Sequence, residues 1–281
     1  VEPVLNSIEA RGHVVIGTVH SRTEWEEGLN IKHLSDNSNV DLLFWVGCQA
    51  SLEDRSMKIA QAFAKILNAA GVNFATLGAE ETCCGDPSRR LGNEYQFQMQ
   101  AVKNIELLNN YGVKTIVTVC PHGFNILKNE YPQFGGKFEV THHSQFIIRL
   151  LQEGKIQLKS GLDKKITYHD PCYLGRYNDI YQPPRDIIKA IPQVNLVEME
   201  HHGDDSFCCG GGGGRFWIEE TKGTRMSEVR IEHVKEAGAE IVATACPYCV
   251  QMLEDAIGSK GMGETLKDLD IAEIVAMSMG L

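Results

Sequence analysis

The sequence predicts an α/β protein built from two pseudo-repeated units with parallel sheets, and two observations carry that prediction. Short apolar runs ending on cysteines occur in the same order in both halves. Matching cysteines lie at nearly constant offsets: 124 (48 to 172), 125 (83 to 208) and 126 (120 to 246). Continuous apolar runs of this length suit strands of a parallel sheet, and a regular offset is the mark of a duplicated unit. Each half is then a small unit of right-handed strand–helix–strand connections, with the join near Lys159-Ser160-Gly161. The expected organisation is an N-terminal linker or docking segment (1–40), a first unit (41–160) and a second unit (161–281).

Taken in order, residues 1–40 carry little recognisable chemistry. Val14-Val15-Ile16 has the composition of a short strand, Glu24 to Leu34 that of a short helix or docking segment, and 35–40 that of a loop. Leu42 to Val46 then runs into Gly47-Cys48, and Lys165-Ile166-Thr167-Tyr168 leads similarly to Cys172. A helix follows each. In the first half Ile59, Phe63, Ile66 and Leu67 lie at helical spacing and Gly71 closes the element. Phe74 to Leu77 and Leu196 to Met199 read as second strands, each followed by Cys-Cys-Gly. Met99, Val102, Ile105 and Leu108, and in the other half Met226, Val229, His233 and Ala237, mark the next helices. Thr115 to Val119 enters Cys120 as Ile241 to Ala245 enters Cys246. Ligands of open α/β sheets collect beyond the carboxyl ends of the strands. Cys48, Cys120, Cys172 and Cys246 all lie there, and the loop cysteines are expected to descend onto the same edge. Helices starting just after Cys120 and Cys246 would aim partially positive N-termini at those thiols, which favours thiolates.

Chemistry is concentrated between Cys172 and Cys249, where five thiols fall in three places: Cys172, the adjacent pair Cys208-Cys209, and Cys246-Pro247-Tyr248-Cys249. Neighbouring Cα atoms are only ~3.8 Å apart and their side chains diverge, so one tetrahedral metal is poorly served by a vicinal pair. An iron–sulfur cluster, with several iron atoms each wanting a thiolate, can use both. Zinc held by Cys-x-x-Cys and two further thiols is the competing reading, and it leaves the fifth cysteine unexplained. Burial as small apolar side chains explains neither the pair nor the Cys-x-x-Cys.

These residues carry a resemblance. Cys172, Cys208-Cys209-Gly210 and Cys246-x-x-Cys249, set within His169-Asp170-Pro171-Cys172-Tyr173-Leu174-Gly175-Arg176 and Ala245-Cys246-Pro247-Tyr248-Cys249, resemble the cysteine-rich CCG domain of heterodisulfide reductase B/D-type iron–sulfur proteins. The resemblance implies Rossmann-like CCG units and a non-cubane [4Fe-4S] cluster held by Cys172, Cys208, Cys209, Cys246 and Cys249. The first half departs from the pattern: it offers Cys48, Cys83, Cys84 and Cys120, and Gly123 stands at the last cysteine position. Four thiolates suffice for a cubane [4Fe-4S] cluster, the expected occupant. A non-cubane cluster completed by His122 or another ligand, and no cluster at all, are the alternatives. Cys83 to Tyr95 and Asn129-Glu130-Tyr131-Pro132 look most like the branch that works with electron-transfer flavoproteins and quinones.

Composition narrows the partners. With 27 basic and 37 acidic residues in 281, the net charge is −10, which argues against nucleic-acid or anionic-membrane surfaces. Nine cysteines in pairs and singles fit a reducing, cytoplasmic compartment better than a secreted disulfide framework. No apolar run approaches a membrane span, and no signal-peptide core opens the chain. The chain starts at Val1 without methionine, as a processed or incomplete chain would, so attachment to the inner face of a membrane through a partner or a missing segment stays open. Gly210 to Gly214 lacks the ending of a phosphate loop and the spacing of a dinucleotide fingerprint. His122, His142, His143, His169, His201 and His202 lie near the motifs, mostly as local hydrogen-bonding residues, with His122 and His169 the two to test. Arg89, Arg90, Arg176 and Arg215 flank cysteine loops and could offset cluster charge or simply pair with nearby acids. Phe216 and Trp217 are expected to cover the cluster from water.

No flavin or nicotinamide fingerprint occurs, and no ferredoxin-type cysteine run. The leading expectation is therefore an iron–sulfur electron-transfer module of a larger oxidoreductase. It would pass electrons between a flavoprotein or ferredoxin-type donor and a quinone-linked or thiol/disulfide acceptor, with other subunits or domains as partners. A heterodisulfide-type disulfide reductase, with the non-cubane cluster as its catalytic site, and a zinc-stapled scaffold are the rivals. No residue is assigned a catalytic role.

Overall fold

Two four-stranded, all-parallel sheets with the same strand order form the framework. The computed structural model describes residues 1–36 and 39–281. Its contacts divide the chain into two compact units, Val1–His143 and Ser144–Leu281. The boundary falls ahead of the join expected near 159–161, and residues 1–36 group with the first unit.

In the first unit, α1 (Glu2–Arg11) precedes β1 (Leu42–Trp45), α2 (Cys48–Leu52), α3 (Asp54–Ala69), β2 (Phe74–Ala75), α4 (Asp86–Arg90), α5 (Glu94–Asn110), β3 (Thr115–Thr118), α6 (Pro121–Asn125) and β4 (Glu139–His142). The helix α7 (His143–Gln152) follows. The second unit contains β5 (Lys165–Tyr168), α8 (Gln182–Ala190), β6 (Asn195–Leu196), α9 (Met226–Glu236), β7 (Ile241–Thr244), α10 (Pro247–Ser259), β8 (Lys267–Asp270) and α11 (Ile271–Met279). The sheet orders are β2-β1-β3-β4 and β6-β5-β7-β8. The fourth strand of each sheet, β4 and β8, is not visible in the sequence as an apolar run, because each alternates polar with buried residues (Glu-Val-Thr-His, Lys-Asp-Leu-Asp).

Burial explains the central strands. Every residue of β1 and of β7 is buried, as strands covered on both faces require. Around β1 the core is aromatic: Phe44 meets Trp25 and Phe63 edge-on, with ring centroids 5.8 and 5.1 Å apart. The second unit's core is aliphatic, with Met199, Ile231, Val234, Val242, Leu253, Ala256, Ile257 and Leu266 in one cluster. Each fully buried large apolar side chain contributes about 1.5–3 kcal/mol.

The N-terminal region differs from its expectation. Val14-Val15-Ile16 forms no strand, and the 24–34 stretch is helical only as one 3₁₀ turn, Glu24–Glu26. Of the 35–40 loop, residues 37 and 38 lie outside the described residues. The segment packs on the first unit: Trp25 is buried in the aromatic core, His33 bridges to Thr76, and Leu34 is buried. Apolar side chains at isolated positions (Trp25, Leu34) anchor it, so no periodicity announces it. Among the described residues, no helix is long and apolar enough to cross a membrane.

Candidate metal centres

In each sheet the strand order reverses between its two central strands, β1 and β3 in one and β5 and β7 in the other. This is where open α/β sheets leave a crevice at their carboxyl edge. Trp45 pairs with Thr118, and Tyr168 with Ala243. The chain therefore leaves adjacent strands a few residues before Cys48 and Cys120, and before Cys172 and Cys246.

The five cysteines of the second unit interact in sequence: Cys172 with Cys208, Cys208 with Cys209, Cys209 with Cys249 at 3.3 Å between sulfurs, and Cys249 with Cys246. Cys246 caps α10 and Cys249 lies in its first turn, so both meet the helix's positive end. The Cys-Cys-Gly turn has a physical basis. Gly210 takes φ 88°, open chiefly to glycine, and its N–H donates to Cys208 Sγ at 3.2 Å. Cys209, Cys246 and Cys249 are buried, whereas Cys172 and Cys208 are half-buried and lie beside Arg176 and Tyr181. Hydrogen bonds from Cys172 and Cys209 push the Cys208 thiol far down, and the same pairing pushes Cys172 up.

Several side chains fix these loops in place. Asp170 accepts two bonds from Arg185, at 2.6 and 2.9 Å, and one from the Gly203 N–H at 2.8 Å. That clamp ties the strand exit at Cys172 to the loop that carries Cys208. His169 is buried, with a ring nitrogen within 4.8 Å of the Cys209 and Cys249 sulfurs. Its Nδ1 accepts from Arg230 Nε at 3.1 Å, and since an arginine only donates, Nδ1 carries no proton. Burial, with Arg230 beside it, holds His169 down to about 3. Phe216 and Trp217 pack edge-on against Tyr248, at 5.3 and 6.1 Å, between the two cysteines of the Cys-x-x-Cys.

The first unit repeats the plan with four thiols. Cys48 interacts with Cys83, and Cys83 with Cys84. Cys120 caps α6, and a Cβ on Gly47, next to Cys48, would lie 3.8 Å from the Cys120 Cβ. Gly85 matches Gly210: its φ is 93° and its N–H donates to Cys83 Sγ at 3.4 Å. Asn104 donates to the Cys83 carbonyl and Tyr131 to the Cys84 carbonyl, each at 3.0 Å. His122 is buried, with Nδ1 3.0 Å from Asp86 Oδ2. Asp86 pairs with Arg90, and both Arg89 and Arg90 pair with Glu130.

The arginines singled out from the sequence have other partners: Arg89 and Arg90 meet carboxylates, Arg176 meets the Asp204 and Ser206 carbonyls, and Arg215 meets Glu220. His201 and His202 bond locally, to Asp205 and to the Met199 carbonyl. His142 and His143 are buried with rings 4.4 Å apart. Sequence reasoning missed Arg22, whose Nη2 lies 3.1 Å from Cys48 Sγ, and also Arg185 and Arg230. Arg22 is one arginine in a polar stretch, so no local pattern marks it. The hydrogen bond with Cys83, together with Arg22, brings the Cys48 thiol down to about 6.

Chemically, soft thiol donors without a carboxylate among them suit thiolate-bound iron or zinc. Five converging thiols fit a multi-iron group and exceed the four positions of a zinc ion.

Comparison with known proteins gives the family. The cysteine-rich domain family CCG matches residues 42–128 and 166–254, more than half of the chain. The probable iron-sulfur-binding oxidoreductase FadF of Bacillus subtilis is 46% identical over 244 residues, covering 87% of this chain and 35% of that protein. The EtfAB:quinone oxidoreductase of Syntrophomonas wolfei is 41% identical over 251 residues (87% and 35%). One subunit of the dihydromethanophenazine:CoB–CoM heterodisulfide reductase of Methanosarcina barkeri is 35% identical over 248 residues (86% and 60%). The chain thus spans between about a third and three fifths of the length of these relatives.

Proposed function

The chain belongs to the cysteine-rich CCG domain family, and on that premise we propose that it is an iron–sulfur electron-transfer module of a larger oxidoreductase. In this reading Cys172, Cys208, Cys209, Cys246 and Cys249 hold a non-cubane [4Fe-4S] cluster, and Cys48, Cys83, Cys84 and Cys120 hold a cubane one. When bound, such clusters supply one-electron redox chemistry. The chain's own residues hold the thiolates at the sheet edge, donate N–H bonds to sulfur from Gly85 and Gly210, and exclude water. The observation that carries the reading is the convergence of five interacting thiols in the second unit.

Electrons would pass between a flavoprotein or ferredoxin-type donor and a quinone-linked or thiol/disulfide acceptor, which the names of the relatives support. The module would work in the cytoplasm, at a membrane through a partner. Metal analysis of the anaerobically purified chain tests the clusters: about eight iron atoms are expected for two [4Fe-4S] groups and about four for one. A colourless chain holding only zinc overturns the reading. Reduced chain mixed with an electron-transfer flavoprotein should exchange electrons within turnover time; no exchange with any physiological donor counts against the module.

One observation favours a second reading, disulfide reduction at the second unit. Cys172 and Cys208, beside Arg176 and Tyr181, are its two half-buried thiols and so the ones a substrate could reach. A disulfide substrate that perturbs the second cluster's paramagnetic signal supports this reading; an unperturbed signal removes it.

A further inference from the structure

The N-terminal segment delivers a charge into the first unit's thiol site. Arg22 is buried, and its guanidinium is held by four groups. Nη2 donates to Cys48 Sγ at 3.1 Å and to the Gly12 carbonyl at 3.0 Å. Nη1 donates to Ser51 Oγ at 3.2 Å and to Glu81 Oε1 at 3.3 Å. Glu81 in turn accepts the Val46 and Gly47 N–H groups, at 2.9 and 2.7 Å. The ion pair is thus built into the chain's turn from β1 to Cys48, with its cationic end against sulfur and its carboxylate on the other amino nitrogen. The second unit is arranged differently: of its buried guanidiniums, Arg230 donates to His169, to the His201 carbonyl and to Ser206, and Arg185 to Asp170 and Glu198.

We propose that Arg22 is a positioning residue that raises the reduction potential of the first unit's cluster and so sets the two clusters apart. The proposal rests on the cluster reading above. Reduction adds one negative charge to the centre. A fixed positive charge in hydrogen-bond contact with a ligand sulfur, away from water, stabilises the reduced state more than the oxidised one. The N–H donated to sulfur acts in the same direction, because a charge-assisted bond strengthens as the acceptor becomes more negative. A purely structural role would pin the segment and leave the potential where it was.

Potentiometric titration of the cluster-loaded chain, followed by paramagnetic resonance, tests this with Arg22→Gln and Arg22→Lys. In Arg22→Gln the first cluster's reduced-to-oxidised ratio at fixed applied potential should fall at least tenfold, about 59 mV for one electron. Arg22→Lys should recover most of that loss, and the second cluster should not shift in either variant. A change below twofold with iron content intact overturns the role of Arg22 and leaves the cluster reading standing. A wild-type chain with iron only in the second unit overturns both. If Arg22→Gln fails to fold, Glu81→Gln titrated at pH 9, where the Glu81 carboxylate is ionised, decides by sign: removal of the opposing negative charge must raise the first potential, and a fall or no shift overturns the proposal.

Discussion

The two sheet edges share a backbone plan, and two pairs of side chains set their donors apart. Where the second unit has His169 and Cys249, the first has Trp45 and Gly123, at the same offsets that relate the cysteines: 124 (45 to 169) and 126 (123 to 249). In the second unit a His169 nitrogen lies within 4.8 Å of the Cys249 sulfur. In the first, Trp45 Cδ1 would lie 3.9 Å from a Cβ on Gly123. A large indole beside a glycine thus replaces a smaller ring beside a thiol. The number of donors is decided by these side chains, because the strands and Cys-Cys-Gly turns that aim them are the same.

The largest test removes one centre and spares the other. Cys209→Ser should halve the iron, from about eight atoms per chain to about four, and abolish the second unit's paramagnetic signal. Loss of both signals would show that the halves are not independent. A subtler change makes the halves alike. Trp45→His with Gly123→Cys supplies the missing thiol and the room for it, since the nearest neighbours of the new Cβ lie at 3.7–4.0 Å. The first unit's signal should then move toward that of the second; an unchanged signal would mean that donor number does not separate them.

Equivalent glycines should not be equally sensitive. A Cβ on Gly85 would meet Phe97 Cδ2 at 2.7 Å, whereas one on Gly210 would meet Met226 Cβ at 3.2 Å. The left-handed backbone costs roughly 1–2 kcal/mol in either alanine variant, and overpacking adds about 1–3 kcal/mol, chiefly at Gly85. Thermal unfolding should place Gly85→Ala below Gly210→Ala; the reverse order would break the argument. The smallest effect is one of reactivity. In the metal-free chain, alkylation near pH 7 should label Cys208 roughly tenfold faster than Cys209, because reactivity follows thiolate character and exposure. Cys48, although brought down to about 6, is buried under Arg22 and should also lag behind Cys208.

Much of this arrangement was legible because it is local. Continuous apolar runs gave β1, β3, β5 and β7, and the cysteines that follow them lie at the strand exits as expected. β4 and β8 escaped because their alternating residues look like surface. The arginines beside cysteine loops were the visible candidates for charge compensation, yet Arg89, Arg90, Arg176 and Arg215 sit on oxygens. Arg22, far from any cysteine along the chain, donates to a cysteine sulfur.

By itself, then, the sequence determined the duplicated α/β plan, the thiol inventory and the missing fifth cysteine at Gly123, since periodicity and spacing act between near neighbours. Only the tertiary structure decided which thiols touch, that Arg22 charges one site while His169 stands between Arg230 and the sulfurs of the other, and which cysteines face solvent. Those outcomes depend on contacts between residues remote in sequence, such as Arg22 with Cys48 and Glu81, and their partners are chosen by the packing of whole elements, which no local pattern encodes.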